Sequence, residues 1–451
     1  MRVTVGILMA TVALSTPAAA QILTAPPKGI ILPNYDMVRI GQTEALESGA
    51  VVARASGPLA NVYNPAGLAA AEKTEINASS TGYQLTSLGL EGVGANVSSS
   101  RIANLGGFLG VVIAEPLAKS KKWRLGFSIF SPLSWEPGTL TGQGAALIAG
   151  QDAVLDYRTQ VRLRAQVPSV AAGINLSKTF RLGLGFQVPI VNILQQQQTT
   201  FLASDATEAS TVARAFAADG STWLVRGTLG VQWDATPTLS LGLMAETPTA
   251  RLWGSSFYSD QRTRSFGTGF ETVEFRDPNA RMEYKLPFLL SGGAALRLGK
   301  VQVEANARWY GKVNEFDLYS SDSVGIALAQ VEGGPPVRET VTLEPVPMAF
   351  GSIVNIFLGA SMPVSQNWRV HLGFSTDQSP LTDTETIFRE VNLIGGTAGV
   401  SFRISRVSGA LGLGFQSGKS PTTTVGVEPT VIDTKLTVKT FQLLYSLAVT
   451  F

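Results

Sequence analysis

The stretch from Phe441 to Phe451 places Phe441, Leu443, Tyr445, Leu447, Val449 and Phe451 on one face and Gln442, Leu444, Ser446, Ala448 and Thr450 on the other. A helix would wind this period-two pattern around its whole circumference, whereas a strand sorts it into an apolar face and a smaller, more polar one. A strand of roughly ten residues with grease on one side and polar groups on the other is the unit of a membrane β-barrel. Such a barrel closes on itself because no backbone edge can be left unpaired in lipid. The rest of the chain must therefore supply the other strands.

Alternating runs bounded by turn residues predict fourteen strands, at 74–88, 104–117, 122–135, 161–177, 180–196, 221–234, 239–254, 280–298, 301–316, 346–364, 367–377, 391–404, 407–417 and 436–451. Their connections alternate in length. Ala118 to Lys121, Ser177 to Thr179, Asp234 to Thr238, Gly299-Lys300 and Ser365 to Asn367 are short. Glu136 to Gln160, Thr199 to Gly220, Gly254 to Asn279, Asp317 to Pro345 and Gly418 to Lys435 are long. Tight turns at one rim and extended loops at the other are the outer-membrane pattern. The expected fold class is an all-β, 14-stranded antiparallel transmembrane barrel.

Strand nine sets Val301, Val303, Ala305, Ala307 and Trp309 outward against Gln302, Glu304, Asn306, Arg308 and Lys312. Strand six sets Trp223, Val225, Leu229, Val231 and Trp233 against Arg226, Thr228 and Gln232, and strand eleven Trp368, Val370, Leu372 and Phe374 against Arg369, His371 and Ser375. Tryptophans at strand ends, Trp123 among them, suit interfacial girdles. Two strands break phase. In strand four Val161, Leu163 and Val167 occupy one phase and Val170, Ile174 and Leu176 the other, which predicts a bulge at Pro168-Ser169. Strand three ends in Ser131-Pro132, where a missing backbone donor predicts a gap in the wall. The uncharged run Pro345 to Trp368 holds Pro347, Gly351 and Pro363 and reads as a strand and a turn rather than a helix.

At the other end, Arg2, the apolar run Val3 to Leu14 and Ala18-Ala19-Ala20 before Gln21 read as a cleaved signal peptide over residues 1–20, hence export. Residues 21–73 lack a strand pattern and carry Pro26, Pro27 and Pro33, with Gly41 to Ala55 a short helical stretch. They are either a free tail or a plug inside the barrel formed by 74–451, whose lumen is large enough to need filling.

The chain has no cysteine and the single histidine His371, which excludes disulfides, thiolate sites and a multi-histidine metal centre. A net charge of +2 offers no basic stripe for nucleic acid. No metal, cofactor or nucleic-acid partner is expected. Ser375 lies four residues from His371 on one strand, roughly 13 Å away at 3.3 Å per residue, too far for a nucleophile and its base, so no catalytic residue and no enzyme activity are assigned. Gly183-Leu184-Gly185 and Gly412-Leu413-Gly414 sit inside strands with no following helix or lysine, and read as small lumen-facing residues rather than phosphate loops.

Just before the first strand, Asn61-Val62-Tyr63-Asn64-Pro65-Ala66-Gly67-Leu68-Ala69 resembles the N-P-A-G-L motif of the FadL family. Val167-Pro168-Ser169-Val170-Ala171, Leu286-Pro287 before Gly292-Gly293, and Asn367-Trp368-Arg369 through Asp377-Gln378-Ser379-Pro380 extend the resemblance over nearly the whole mature chain. Gly57-Pro58 stands where the family carries an acidic pair. The resemblance implies an outer-membrane transporter of long-chain fatty acids or other hydrophobic compounds. It also implies that residues 21–73 form a plug, called a hatch in this family, and that the loops hold an apolar capture groove. The terminal Phe451 likewise resembles the signal read by the barrel-assembly machinery.

Asp205-Ala206-Thr207-Glu208 has the spacing of a capping box and, with Val212, Ala213 and Phe216 before Gly220, predicts a short amphipathic helix over the barrel mouth. That helix either contacts ligand or merely braces the rim. Phe257, Tyr258, Phe266 and Phe270 make the next loop unusually apolar, either to capture an apolar molecule or to pack on one another. Of Arg162, Arg164, Arg226, Lys285, Arg308, Lys312 and Arg369, all expected to line the lumen, Arg162 and Arg308 are candidates for a carboxylate head group, with pairing to Glu246, Glu283 or Glu304 as the alternative. The expected function is passive uptake of hydrophobic small molecules by a monomer embedded in outer-membrane lipid. Loops would capture, the plug would shift, and the ligand would leave at Ser131-Pro132. A diffusion porin for polar solutes and a surface adhesin acting through its long loops are the alternatives.

Overall fold

A computed structural model describes residues 33–451 except 92–96, 104–106, 115–122, 149–150, 205–208, 267–268, 331–333, 344–345, 383–389, 422 and 428–429. The expected signal peptide, residues 1–20, and Gln21 to Leu32 lie outside the described residues. A closed barrel of 14 antiparallel strands forms the wall. In chain order these are β1 (Glu75–Glu91), β2 (Phe108–Ile113), β3 (Trp123–Trp135), β4 (Gln151–Asn175), β5 (Phe180–Gln187, continued by Ile190–Ser204), β6 (Ala209–Asp234) and β7 (Leu239–Glu246, continued by Ala250–Phe266). There follow β8 (Leu289–Leu298, preceded by Gly269–Met282), β9 (Val301–Tyr310), β10 (Ile353–Pro363), β11 (Trp368–Asp377), β12 (Leu393–Ile404), β13 (Val407–Lys419) and β14 (Thr430–Thr450). The barrel closes where β14 meets β1, from Glu75 opposite Thr450 to Glu91 opposite Lys435. At the short-turn rim the Phe451 amide donates to Thr74 O at 3.0 Å.

The strands run higher above the long-loop rim than their lipid-facing pattern extends, and their polarity reverses on the way. On β6, Trp233, Leu229 and Trp223 point outward and are exposed, while Gln232 and Thr228 are buried in the lumen. Beyond Trp223 the inner face becomes Leu224, Ala218, Phe216 and Val212, all buried. β14 does the same, with Phe441, Tyr445 and Leu447 outward over Gln442 inward, then Val438 and Leu436 inward. Within lipid the apolar face must look out, whereas above it water surrounds the wall and the apolar face turns in.

This reversal corrects two expectations. Val161, Leu163, Ala165, Val167, Ser169 and Ala171 of β4 all face inward in unbroken alternation, and β4 pairs with β5 without slippage, from Ser169 opposite Gln187 to Gln166 opposite Ile190. The phase change marks the exit from lipid and not a bulge at Pro168-Ser169. The helix expected over Asp205 to Gly220 is also absent among the described residues. Val212, Ala213 and Phe216 lie in β6, paired with the upper part of β5 from Ile190 opposite Trp223 to Ser204 opposite Ala209. Val212, Arg214, Phe216 and Ala218 are buried with only partly buried residues between them, so period two and a continuous ladder override the capping signal. Asp205 to Glu208 themselves lie outside the described residues.

The lower lumen is filled by residues 33–73. This segment contains helical turns at Thr43–Leu46 and Ala60–Tyr63 and a 3-10 turn at Pro65–Ala70, and its Leu46, Val52, Ala60, Ala66 and Leu68 are wholly buried.

Candidate functional site

The inward polar side chains of the lower barrel meet the N-terminal segment one by one. Asp36 is the hub. It pairs with Arg308 and accepts from Tyr310 Oη at 3.0 Å and Asn355 Nδ2 at 2.7 Å, while its own amide donates to Asp377 Oδ1 at 3.2 Å. Asn34 Nδ2 donates to the carbonyls of Asp377 and Val391 at 2.8 and 2.9 Å, and Gln442 Nε2 to that of Met37 at 2.8 Å. A second knot joins Glu47 to Arg54 and to His371 Nδ1, the latter at 2.7 Å, with His371 Nε2 2.8 Å from Ser401 Oγ. Glu304 accepts from the Ala53 amide at 2.8 Å and faces Arg54 Nε at 2.8 Å. Buried charges of this kind hold position rather than add net stability, because desolvation offsets most of their attraction.

Two carboxyls of the segment respond to burial differently. Burial pushes Glu44 up to about 7 despite its backbone hydrogen bonds and Arg54. Burial also pushes Glu47 upward, but the His371 hydrogen bond and the Arg54 charge outweigh it and hold Glu47 below the usual carboxylate range.

The N-P-A-G-L residues explain the lumen glycines. Asn64 caps the Pro65–Ala70 turn, accepting from the Ala66 amide at 3.2 Å, and its Nδ2 donates to the carbonyls of Val52 and Val231 at 2.9 Å each. A Cβ on Gly230 would lie 2.1 Å from Asn64 Oδ1, and one on Gly183 2.1 Å from the Pro65 carbonyl carbon. Only glycine lets the wall approach the motif this closely.

Above the segment the inner face of the wall carries a cluster of buried aliphatic and aromatic side chains. Tyr258, fully buried, meets Phe216, Tyr319 and Phe275 with ring centroids 5.3, 5.7 and 5.8 Å apart. Lower in the same apolar cluster, Phe350 contacts Tyr284, Phe316 and Tyr35, and Tyr35 stacks on Tyr310 at 4.6 Å. Tyr35 and Met37 of the N-terminal segment thus close the bottom of this cluster.

At the bottom of the cluster a cavity of about 100 Å³ lies between Tyr35, Tyr63 and Met244 and reaches Phe130, Pro132 and Leu133 of β3. There β3 and β4 slip register: Phe130 faces Val167 and Leu133 faces Ala165, so Ser131 and Pro132 together oppose Gln166. The extra residue is a bulge on β3, and on its other side the Ser131 amide extends the β2 ladder, donating to Gly107 O at 3.2 Å. On the outer surface of the same wall, Phe127, Ile129, Pro168, Val170 and Phe186 border an apolar recess of about 640 Å³.

The sequence-predicted residues separate accordingly. Phe216 and Tyr258 come together in the buried cluster, Val212 is buried on the same face of β6, and Arg308 faces the lumen as expected. Phe257 points the other way, out of the barrel, with the Arg276 guanidinium 5.4 Å from its ring centre. Phe270 is half-buried in the hairpin that follows, opposite Ser265. The Phe266 side chain lies outside the described residues. Arg162 and Arg164 do not line the lumen, because they alternate with the inward Val161, Leu163 and Ala165, and Arg164 pairs with Glu136 at 2.6 Å. Lys312 is exposed rather than lumenal. Arg226 does pair with Glu246, and Lys285 with Glu283 at 3.2 Å. Asp36, Tyr35, Tyr310 and Asn355 escaped the sequence reading. The signal for them was the run of inward polar residues on β9 to β11, each of which requires a partner when buried.

Solved structures share this architecture. The chain aligns with a Pseudomonas aeruginosa FadL homologue at 13% identity, covering 92% of this chain and 99% of that one, with a TM-score of 0.60. It aligns with the Pseudomonas putida toluene transporter TodX at 14% identity, 92% and 99% coverage and a TM-score of 0.55. The monoaromatic hydrocarbon channel CymD aligns at 12% identity, with the same coverage and a TM-score of 0.51. No protein-family model and no curated protein matches the sequence.

Proposed function

We propose that this barrel, alike in fold to the FadL homologue and the toluene and monoaromatic hydrocarbon channels, is an outer-membrane channel for passive entry of hydrophobic small molecules. The observation that carries the reading is a pair of hollows on the two sides of the wall at the β3 bulge: a lumen cavity where Tyr35, Leu133 and Met244 sit beside the Asp36–Arg308 and Arg226–Glu246 pairs, and an apolar recess on the lipid face. An apolar solute enters the upper interior around Phe216 and Tyr258, where burial favours it by about 25 cal/mol per Å². It descends to Tyr35 of the N-terminal segment, which acts as the plug. Displacement of Tyr35 and its neighbours lets the solute pass Phe130 and Leu133 and leave sideways past Ser131 and Pro132 into the membrane. No energy source is needed, since the route runs down a gradient of apolar solute.

The test is entry of naphthalene and of a pyrene-labelled fatty acid into liposomes holding the full-length barrel. Entry faster than in protein-free liposomes supports the reading, and equal rates for both probes reject it. A large steady current in planar bilayers would instead mark a polar diffusion pore. The hub of hydrogen bonds around Asp36 favours the plugged reading over that one.

A further inference from the structure

The outer face of β4 to β8 above the lipid belt is a polar panel that solute entry does not use. Its base is the row Gln166, Ile190, Trp223 and Trp253, strand neighbours at one level. The next row up is Arg164, Asn192, Ser221, Ser255 and Arg281, followed by Arg162, Leu194, Asp219 and Phe257. Above these, Gln160, Gln196, Ala217, Ser259 and Arg276 form one row and Arg158, Gln198, Ala215, Gln261 and Glu274 another. Ala215 and Ala217 leave a hollow of about 510 Å³ walled by the glutamines and arginines on either side. With rows two residues apart on tilted strands, the panel stands roughly 5 to 20 Å above the tryptophan level.

We propose that this panel binds the phosphorylated saccharide headgroup of an outer-leaflet glycolipid. The inference rests on the outer-membrane placement given above but not on what the channel carries. Three features point to that occupant. The hollow continues upward from the apolar belt ending at Trp223 and Trp253, so a molecule whose acyl chains lie on that belt has its headgroup here. Gln160, Gln196, Gln198 and Gln261 present amides that both donate to and accept from hydroxyls, and the Phe257 ring backed by Arg276 at 5.4 Å offers a flat surface to a sugar. Charge also fits. Arg164 is engaged by Glu136 and Arg281 by Glu283, while Arg158, Arg162 and Arg276 stand against Asp219 and Glu274, a net positive surface suited to phosphate.

Native mass spectrometry of the full-length protein, titrated with a rough-type lipopolysaccharide bearing a phosphorylated inner core, tests the proposal. The triple variant Arg158→Ala, Gln198→Ala, Arg276→Ala is expected to bind about tenfold more weakly, and dephosphorylated glycolipid should bind the wild type similarly poorly. Ala217→Trp, which fills the hollow without changing charge, should weaken binding comparably and serves if the triple variant fails to fold. Uptake of naphthalene should stay at the wild-type rate in both variants. Undiminished binding by the folded variants overturns the proposal. So does free core oligosaccharide competing as well as intact glycolipid, which would mark a soluble-saccharide site. Failure of uptake with intact glycolipid binding would reject the transport reading alone.

Discussion

The lower and upper halves of this barrel obey opposite rules on the same strands. On β6 the side chains from Trp233 to Trp223 put grease outside and polar groups inside, whereas from Leu224 to Val212 the grease is inside. The lower half is held to its contents by directional bonds, such as Asp36 with Arg308, Tyr310 and Asn355. The upper half is lined mainly by contacts without direction, such as those of Tyr258 with three neighbouring rings, beside the buried Arg214–Asp260 pair. In the proposed reading, the lower lumen holds its segment by polar bonds and the upper interior, apolar apart from buried groups such as the Arg214–Asp260 pair, suits an apolar solute. The difference between the halves follows from where the lipid ends.

The comparison is broken most forcefully at the hub. Asp36→Ala leaves Arg308 buried without its carboxylate, a loss of about 3 to 5 kcal/mol from docking of the N-terminal segment. Frequent current openings in planar bilayers, with the barrel still resistant to unfolding in detergent, are the expected result. Next comes a paired substitution on one face of β6. Leu229→Lys, in the middle of the lipid belt, should cost about 2 to 4 kcal/mol of barrel stability in bilayers, and Ala215→Lys above Trp223 about 0 to 1. Equal costs in equilibrium unfolding would deny the reversal.

A smaller effect is expected where wall and motif touch. Gly230→Ala drives a methyl against Asn64 Oδ1, 2.1 Å away before relaxation, and should loosen the N-terminal segment by about 1 to 3 kcal/mol. Faster hydrogen exchange in residues 60–70 alone is the readout. The smallest effect concerns pH. A carboxyl whose ordinary value is 4.5 and which docking raises to about 7, as at Glu44, favours docking at low pH and weakens it as pH rises across that interval. Bilayer openings should thus be more frequent at pH 8 than at pH 5, and Glu44→Gln should flatten the difference. Glu47, held low, acts only below this range.

The lower half was legible in the sequence because lipid imposes a strict alternation. The inward and outward assignments on β6, β9 and β11, the alternating turn lengths and the closing strand were readable without coordinates. The upper half was not. Val161, Leu163 and Val167 looked like a phase error because the same inward face is polar in one half and apolar in the other. Phe257 and Tyr258 looked like one aromatic cluster because a loop, unlike a strand, does not force neighbours onto opposite faces. A spacing typical of helix caps at Asp205 predicted a helix where, from Ala209 onward, a strand paired with the upper part of β5 supplies the backbone partners. Partners of buried charges, such as Asp36 for Arg308, are far apart in sequence and carry no local signal.

The central claim is that solute leaves sideways through the bulge on β3. Deleting Pro132 removes the residue by which Ser131 and Pro132 outnumber Gln166, and so lets β3 pair with β4 without interruption. Liposome entry of naphthalene through this single-residue deletion variant, verified as a folded barrel by its heat-modifiable gel mobility, is the most direct measurement. The account predicts entry at the protein-free rate. Entry at the wild-type rate would contradict it.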